Sequence, residues 1–326
     1  MKKPFSYFLL VAVLTSILFA CSSKQEVAFK NIGNPLIRHM YTADPSARVF
    51  DGKLYLYTSH DRDDTDHQQH FDMTDWHVFS TSDLTNWLDH GAFFGLDDIE
   101  WASKQAWAPD AVMRNGKYYF YYPVEQSMIG VAVSDSPVAD FKDPLGKPLI
   151  DKAENERVVG REPIDPAILM DDDGQAYLYF GCRDARVVKL KDNMIELDGD
   201  ILPVQINGIE HFTEKTGGGW YGEGPWVFKR GNYYYYMYSN GWEKDTTLVY
   251  AMATEPQGPF EYIGEVMTPV GAGTSHGSIT EFNGKWYVFY HSKLLSNQGK
   301  QRSVHFDEIF FDKDGKIIPL QYKNYN

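Results

Sequence analysis

Cysteine is nearly missing from this chain. Cys21 and Cys182 are the two present in 326 residues. Cys21 closes a leader described below, so no intramolecular disulfide is available. Basic charge is also short, with 31 Lys and Arg against 45 Asp and Glu and a net charge of −14. That balance argues against nucleic acid and against anionic membrane surfaces, and it fits a neutral partner. The apolar run of the leader, Phe8–Phe19, is too short to cross a bilayer as a helix. Helical patterning is thin throughout, leaving room for one or two short helices.

Aromatic residues are plentiful instead. The 22 Tyr and 20 Phe, within a hydrophobic share of 43%, suit an all-β core. Tyr221–Asn240, YGEGPWVFKRGNYYYYMYSN, reads as a β-hairpin with one acid, Glu223, at the mouth of its first strand. The same phrase occurs four more times. Asp44-Pro45-Ser46 precedes DGKLYLYTS, Asp110-Ala111-Val112 precedes NGKYYFYY, and Asp165-Pro166-Ala167 precedes DGQAYLYFG. His276-Gly277-Ser278 precedes NGKWYVFYHS. The turn glycines Gly52, Gly116, Gly174, Gly231 and Gly284 recur at propeller-blade spacing, roughly 53 to 64 residues. Each hairpin is followed by another strand-like run: WHVFSTSDL, IGVAVSDSP, ARVVKLKDN, TLVYAMATE and RSVHFDEIFF. Small antiparallel sheets repeated about an axis predict a five-bladed β-propeller, all-β and a single domain over 28–326. The innermost strands would bring the five polar residues to one end of the central channel. Pro45 predicts extended backbone at Asp44. The last strand is expected to pair with the N-terminal segment and close the ring.

The first twenty residues stand outside this pattern. Lys2 and Lys3 precede the apolar run, and Leu18-Phe19-Ala20-Cys21 resembles the lipobox of bacterial lipoproteins. The expectation is a signal peptide over 1–20, lipidation of Cys21, and a short tether over 21–27. Ser22 after the cysteine points to the outer membrane, on its cell-surface or periplasmic face.

Carboxylates facing each other across a pocket are what glycoside hydrolysis needs. A protonated acid releases the leaving group and an opposing carboxylate activates water. A further carboxylate near the acid would raise its proton affinity, because like charges resist joint ionisation. Asp44, Asp110 and Glu223 lie in blades one, two and four and so can surround a sugar. Trp107 offers an aromatic platform for sugar C–H faces, with inter-blade packing as its alternative. The crowded stretch Ser59–Asp75, SHDRDDTDHQQHFDMTD, matches no calcium-loop or zinc spacing and reads as a rim loop. Within it His60 and Asp61 are placed to face substrate. Pattern alone leaves a non-catalytic, cell-surface carbohydrate-binding propeller open as the competing class.

Asp44-Pro45-Ser46, Trp107-Ala108-Pro109-Asp110, Asp165-Pro166, Glu223-Gly224-Pro225 and His276-Gly277, in that order, resemble the motifs of glycoside hydrolase family 43. The resemblance runs from about Asn34 to Ile317. It implies an inverting glycosidase with Asp44 as general base, Glu223 as general acid, and Asp110 orienting the acid and tuning its pKa. It also implies Arg302 as a contact to the first sugar and Asp165 as a channel-lining residue without a chemical step. His276 matches a channel histidine that in some members helps hold a calcium ion or a water cluster. No cofactor is required. The substrates implied are arabinose- or xylose-containing glycans. The SHD…DW…STSDLTNW run favours an exo-acting α-L-arabinofuranosidase, with β-D-xylosidase or exo-β-1,3-galactanase as alternatives. The protein is expected to act as a monomer.

Overall fold

The computed structural model describes residues 26–64, 71–154, 156–209, 221–241, 246–272 and 274–322. Cys21 and the leader expected over 1–20 lie outside them. Among the described residues no helix is long and apolar enough to cross a membrane.

Five antiparallel sheets follow one another along the chain. Blade one runs outward from Tyr41–Phe50 through Lys53–Asp61, Asp75–Thr81 and Asn86–Gly95. Blade two has Asp110–Arg114, Lys117–Val124, Met128–Ser134 and the short Ile150–Asp151. Blade three has Ala167–Met170, Ala176–Phe180, Arg186–Leu190 and Leu197–Pro203. Blade four has Glu223–Arg230, Tyr233–Ser239, Leu248–Ala253 and Phe260–Glu265, with Ile206–Asn207 added in parallel at its edge. Blade five has Gly277–Phe282, Lys285–Ser292 and Ser303–Ile309. Each innermost strand touches the next, and the fifth touches the first, so the sheets form a closed five-bladed propeller.

The hairpins form for a local reason. Asp51-Gly52, Asn115-Gly116 and Asn283-Gly284 all have positive φ at both positions, between 50° and 77°. That geometry is the two-residue turn whose twist matches antiparallel strands. The second strands read as unbroken apolar runs because both of their faces are buried between blades. Tyr234, Tyr236 and Tyr238 pack toward blade three with Tyr179 and Val187. Tyr235 and Met237, one residue out of phase, pack toward blade five with Ile279 and Val288. Five such inter-blade cores replace a single central core. Buried aromatic polar atoms reach across them: Trp76 Nε1 donates to the Trp107 carbonyl at 2.6 Å and Trp226 Nε1 to that of Ile279 at 2.8 Å.

Ring closure differs from expectation. The N-terminal strand Val27–Lys30 pairs with Asn86–Asp89 on the outer edge of blade one, not with the last strand. The segment after it meets blade five through isolated bonds. Leu36 N–H donates to the Val304 carbonyl at 2.8 Å and Thr42 N–H to that of Arg302 at 3.0 Å. The Asn34 side chain bonds both backbone groups of Phe306.

Candidate active site

A cavity of about 330 Å³ opens where the innermost strands begin. Asp44, Asp165, Glu223, Trp107, His276 and Arg302 all line it. Its carboxylates are aimed by breaks in the ladder. Pairing of the first hairpin slips between Ala43 and Ser46, and that of the fourth between Glu223 and Trp226. Asp44 (φ 52°) and Asp165 (φ 56°) take left-handed backbone directly before a proline. Extended geometry at Asp44 is therefore corrected: a bulge, not a regular strand, swings the carboxylate inward. In blade four Gly224 (φ 66°) takes the left-handed position, leaving Glu223 one residue earlier.

The bulge removes the Asp44 N–H from the sheet, and His291 satisfies it, Nδ1 accepting at 3.1 Å. An accepting Nδ1 puts the imidazole proton on Nε2, which faces the Thr274 carbonyl at 3.2 Å. Burial, with the Arg302 charge, pushes His291 down to about 3, so it is a neutral prop. Burial pulls the Asp44 carboxyl up, but the opposing effects win and hold it at about 2. Arg302 Nη1 donates to its Oδ1 at 2.9 Å and the Ser59 hydroxyl to its Oδ2 at 2.6 Å. With His291 and His276 both pushed toward the neutral form, the guanidinium and the hydroxyl are what keep Asp44 ionised near neutral pH.

Asp165 goes the other way. Burial first, then the charges of Glu223 and Asp44, raise its pKa well above the carboxylate range, against one hydrogen bond from Gly224 N–H at 3.0 Å. One wall of the cavity thus holds a fixed anion, and the other a pair of acids that resist joint ionisation.

Three expected site residues lie elsewhere. Asp110 is fully buried and absent from the cavity lining. Its Oδ1 accepts from Ser46 Oγ at 2.6 Å, Arg48 Nε at 2.9 Å and Ala111 N–H at 2.7 Å. Its Oδ2 accepts from Arg48 Nη2 and from Ile168 N–H. Asp110 ties blades one, two and three together, and Asp165 occupies the place beside Glu223 that was expected of it. Asp61 does not face substrate either. It is 1% exposed and grips Arg302 through Nε at 2.9 Å and Nη2 at 2.8 Å. His60 is also outside the cavity lining, bonded through Nδ1 to Asp75 at 3.0 Å. Trp107 combines both readings, since it lines the cavity and also packs into the core between blades one and two.

Sequence reasoning passed over Ser59, His291 and Cys182. All three stand at the far end of a second strand, just past the aromatic run, where antiparallel pairing returns the chain to the channel mouth. Ser59 pairs with Ala43, and Ser239 with Glu223, which shows the rule.

Two clusters bear on metal binding. His60, Asp75 and His77 each offer a ligand atom within 4.8 Å of the others, but Asp75 already hydrogen-bonds both imidazoles. Beside His276 stand Asp44, committed to Arg302 and Ser59, and the imidazole of His291. A guanidinium and two imidazoles supply no oxygen ligand, so a calcium ion beside His276 would take most of its six to eight oxygens from water.

Residues 32–317 match the model of "Glycosyl hydrolases family 43". The chain belongs to this family. As a family 43 glycosidase it is 38% identical to Xylosidase/arabinosidase 43A of Humicola insolens, over 87% of this chain and 98% of that one. It is 36% identical to the Xylosidase/arabinosidase of Bacteroides ovatus, over 87% and 96% of the two chains. Among solved structures it resembles a family 43 β-xylosidase/α-arabinofuranosidase from a compost microbial metagenome, in complex with xylotriose in a calcium-free form. That match has a TM-score of 0.78 and 35% identity, and covers 92% of this chain and 100% of the other. A family enzyme of Xanthomonas citri complexed with xylose matches with a TM-score of 0.77 and 36% identity, over 90% and 94%. The glycosidase therefore has relatives of the same length and fold with xylosidase and arabinosidase activities.

Proposed function

We propose that this glycosidase removes single terminal pentose units from xylan-type glycans, taking both α-L-arabinofuranosides and β-D-xylosides by inversion. The carrying observation is the asymmetry of the cavity. Asp44 is held ionised by Arg302 and Ser59, while Asp165 and Glu223 share a site where one proton is retained. In this reading Asp44 draws the proton from an attacking water, and Glu223 gives its proton to the leaving-group oxygen. Asp165 supplies the repulsion that keeps that proton on the acid, a role moved here from Asp110. Trp107 supplies an apolar wall, and Arg302 holds Asp44 and the first sugar. The relatives named as xylosidases support action on terminal units. The dual naming of the relatives supports breadth across the two pentosides. The lipid anchor at Cys21 and an outer-membrane position belong to the same proposal.

The test is nitrophenol release from the α-L-arabinofuranoside and the β-D-xyloside, beside Glu223→Gln, with the anomer of the released sugar followed by NMR. Turnover of both, first appearance of the inverted anomer, and a loss of on the order of 10²–10⁴-fold in the variant are expected. A variant as active as the parent removes Glu223 from the acid role. Turnover of one pentoside alone narrows the substrate and leaves the chemistry.

A further inference from the structure

Cys182 lines the cavity beside Glu223, and the proposed reaction does not use it. It is 2% exposed, and its Sγ lies 3.7 Å from Glu223 Oε2. Burial first, then the charges of Glu223, Glu162 and Asp165, drives the thiol far above its ordinary range. The sulfur therefore keeps its hydrogen and meets the carboxylate as a donor.

The turn that carries it is fixed from both sides. Gly181 N–H donates to the Ile164 carbonyl at 2.8 Å and Cys182 N–H to that of Glu162 at 2.9 Å, tying the turn to the segment before Asp165. Arg183 N–H donates to the Gly222 carbonyl at 2.7 Å and Tyr221 Oη to that of Gly181 at 2.5 Å, tying it to the strand of the acid. Gly181 (φ 115°) has no room for a side chain, since a Cβ would stand 2.2 Å from the Asp184 carbonyl oxygen. The three residues Gly181 to Arg183 thus tie the segment before Asp165 to the segment before Glu223, with the thiol against Glu223.

We infer that Cys182 is a positioning residue for Glu223, its S–H holding Oε2 so that the acid presents one orientation to the leaving group. This rests on the reading of Glu223 as the general acid. A thiol suits the task because it is a weak donor. A hydroxyl in its place would favour the carboxylate form more strongly and work against the repulsion from Asp165. Removing the donor takes away one hold on the acid's carboxylate; strengthening it makes the acid reluctant to stay protonated.

The experiment compares Cys182→Ala and Cys182→Ser, alone and with Glu223→Gln, on a pentosyl disaccharide and on a dinitrophenyl pentoside. With Cys182→Ala, kcat on the disaccharide falls by about 10-fold while the dinitrophenyl substrate, which needs no acid, keeps its rate. With Cys182→Ser, the basic limb of kcat/KM moves to lower pH by roughly half a unit. In the Glu223→Gln background neither change has further effect. Three results overturn the inference: limbs that stay in place in both variants, equal losses on the two leaving groups, or losses that add to that of Glu223→Gln. The near-isosteric serine variant carries the pH readout should the alanine variant fold poorly. A fully active Glu223→Gln overturns the acid assignment itself, so the two failures are told apart.

Discussion

Asp110 spends its carboxylate on Arg48, Ser46 and two backbone N–H groups, and Arg48 in turn donates to the Ile168 carbonyl and lies 4.0 Å over the Trp226 ring. A single ion pair, fully buried on its aspartate side, thus joins four blades. Asp165 has one hydrogen bond from Gly224 and a carboxylate neighbour that it repels. The two aspartates therefore fail differently when neutralised. Asp110→Asn leaves the Arg48 charge without its partner and costs about 3–5 kcal/mol, read as a fall in the midpoint of denaturant unfolding. Its kcat/KM, measured where the protein is still folded, stays within a few-fold of the parent. Asp165→Asn keeps the unfolding midpoint and loses on the order of 10²-fold in kcat. The reverse pattern would return the tuning role to Asp110. Both residues open a hairpin at the same phase, so the repeat alone could not distinguish them. The difference comes from Arg48, in blade one, which is sequence-remote from both.

Glycines in the motifs explain themselves once the strands are in place. A Cβ on Gly277 would stand 2.2 Å from the Phe289 carbonyl oxygen, so the strand after His276 can only approach blade five's second strand as glycine. A Cβ on Gly224 would press on the His276 ring at 3.1 Å, at a backbone angle that L residues rarely adopt. Gly277→Ala is expected to cost about 1–3 kcal/mol through forced backbone movement, visible as a lowered thermal midpoint. An unchanged midpoint would mean the strand yields freely. Hairpins, turn glycines and the third strand of every blade were legible in the sequence because they depend on neighbours along the chain. The bulges were not. A pre-proline residue prefers extended backbone, and the left-handed turn at Asp44 is held by His291, a residue 247 positions away. Asp61 was misread for the same reason, since its exposure is decided by Arg302 from the other end of the chain.

Two buried imidazoles take a large share in how the molecule answers to acid. Burial pushes His291 and His305 down to about 3, from an ordinary value of 6.5, with the charges of Arg302 and Arg38 adding to it. The unfolded chain therefore takes up protons below about pH 6.5 that the folded chain refuses until near pH 3, and stability falls over that window as pH drops. The Asp44 carboxyl, held at about 2, adds a further loss as pH falls from its ordinary value of 3.8 through about 2. Each histidine contributes about 1.4 kcal/mol per pH unit across its window. His305 bonds Ser292 and stands apart from the cavity lining. His305→Gln should flatten the dependence of the unfolding free energy on pH between 6 and 4 by about that amount. A slope equal to the parent's would mean that His305 protonates in the folded state.

Arg302 does two jobs at the seam between the last blade and the first. Its carbonyl accepts from Thr42, and its guanidinium holds Asp61 and Asp44. Joining the two ends of the chain and arming the proposed base are one event. A chain still emerging from a ribosome, with blades one to four in place, has both acids of the opposite wall but no cation to hold Asp44. Until blade five docks, the proposed centre lacks the guanidinium that keeps Asp44 ionised, so its chemistry waits on closure of the ring.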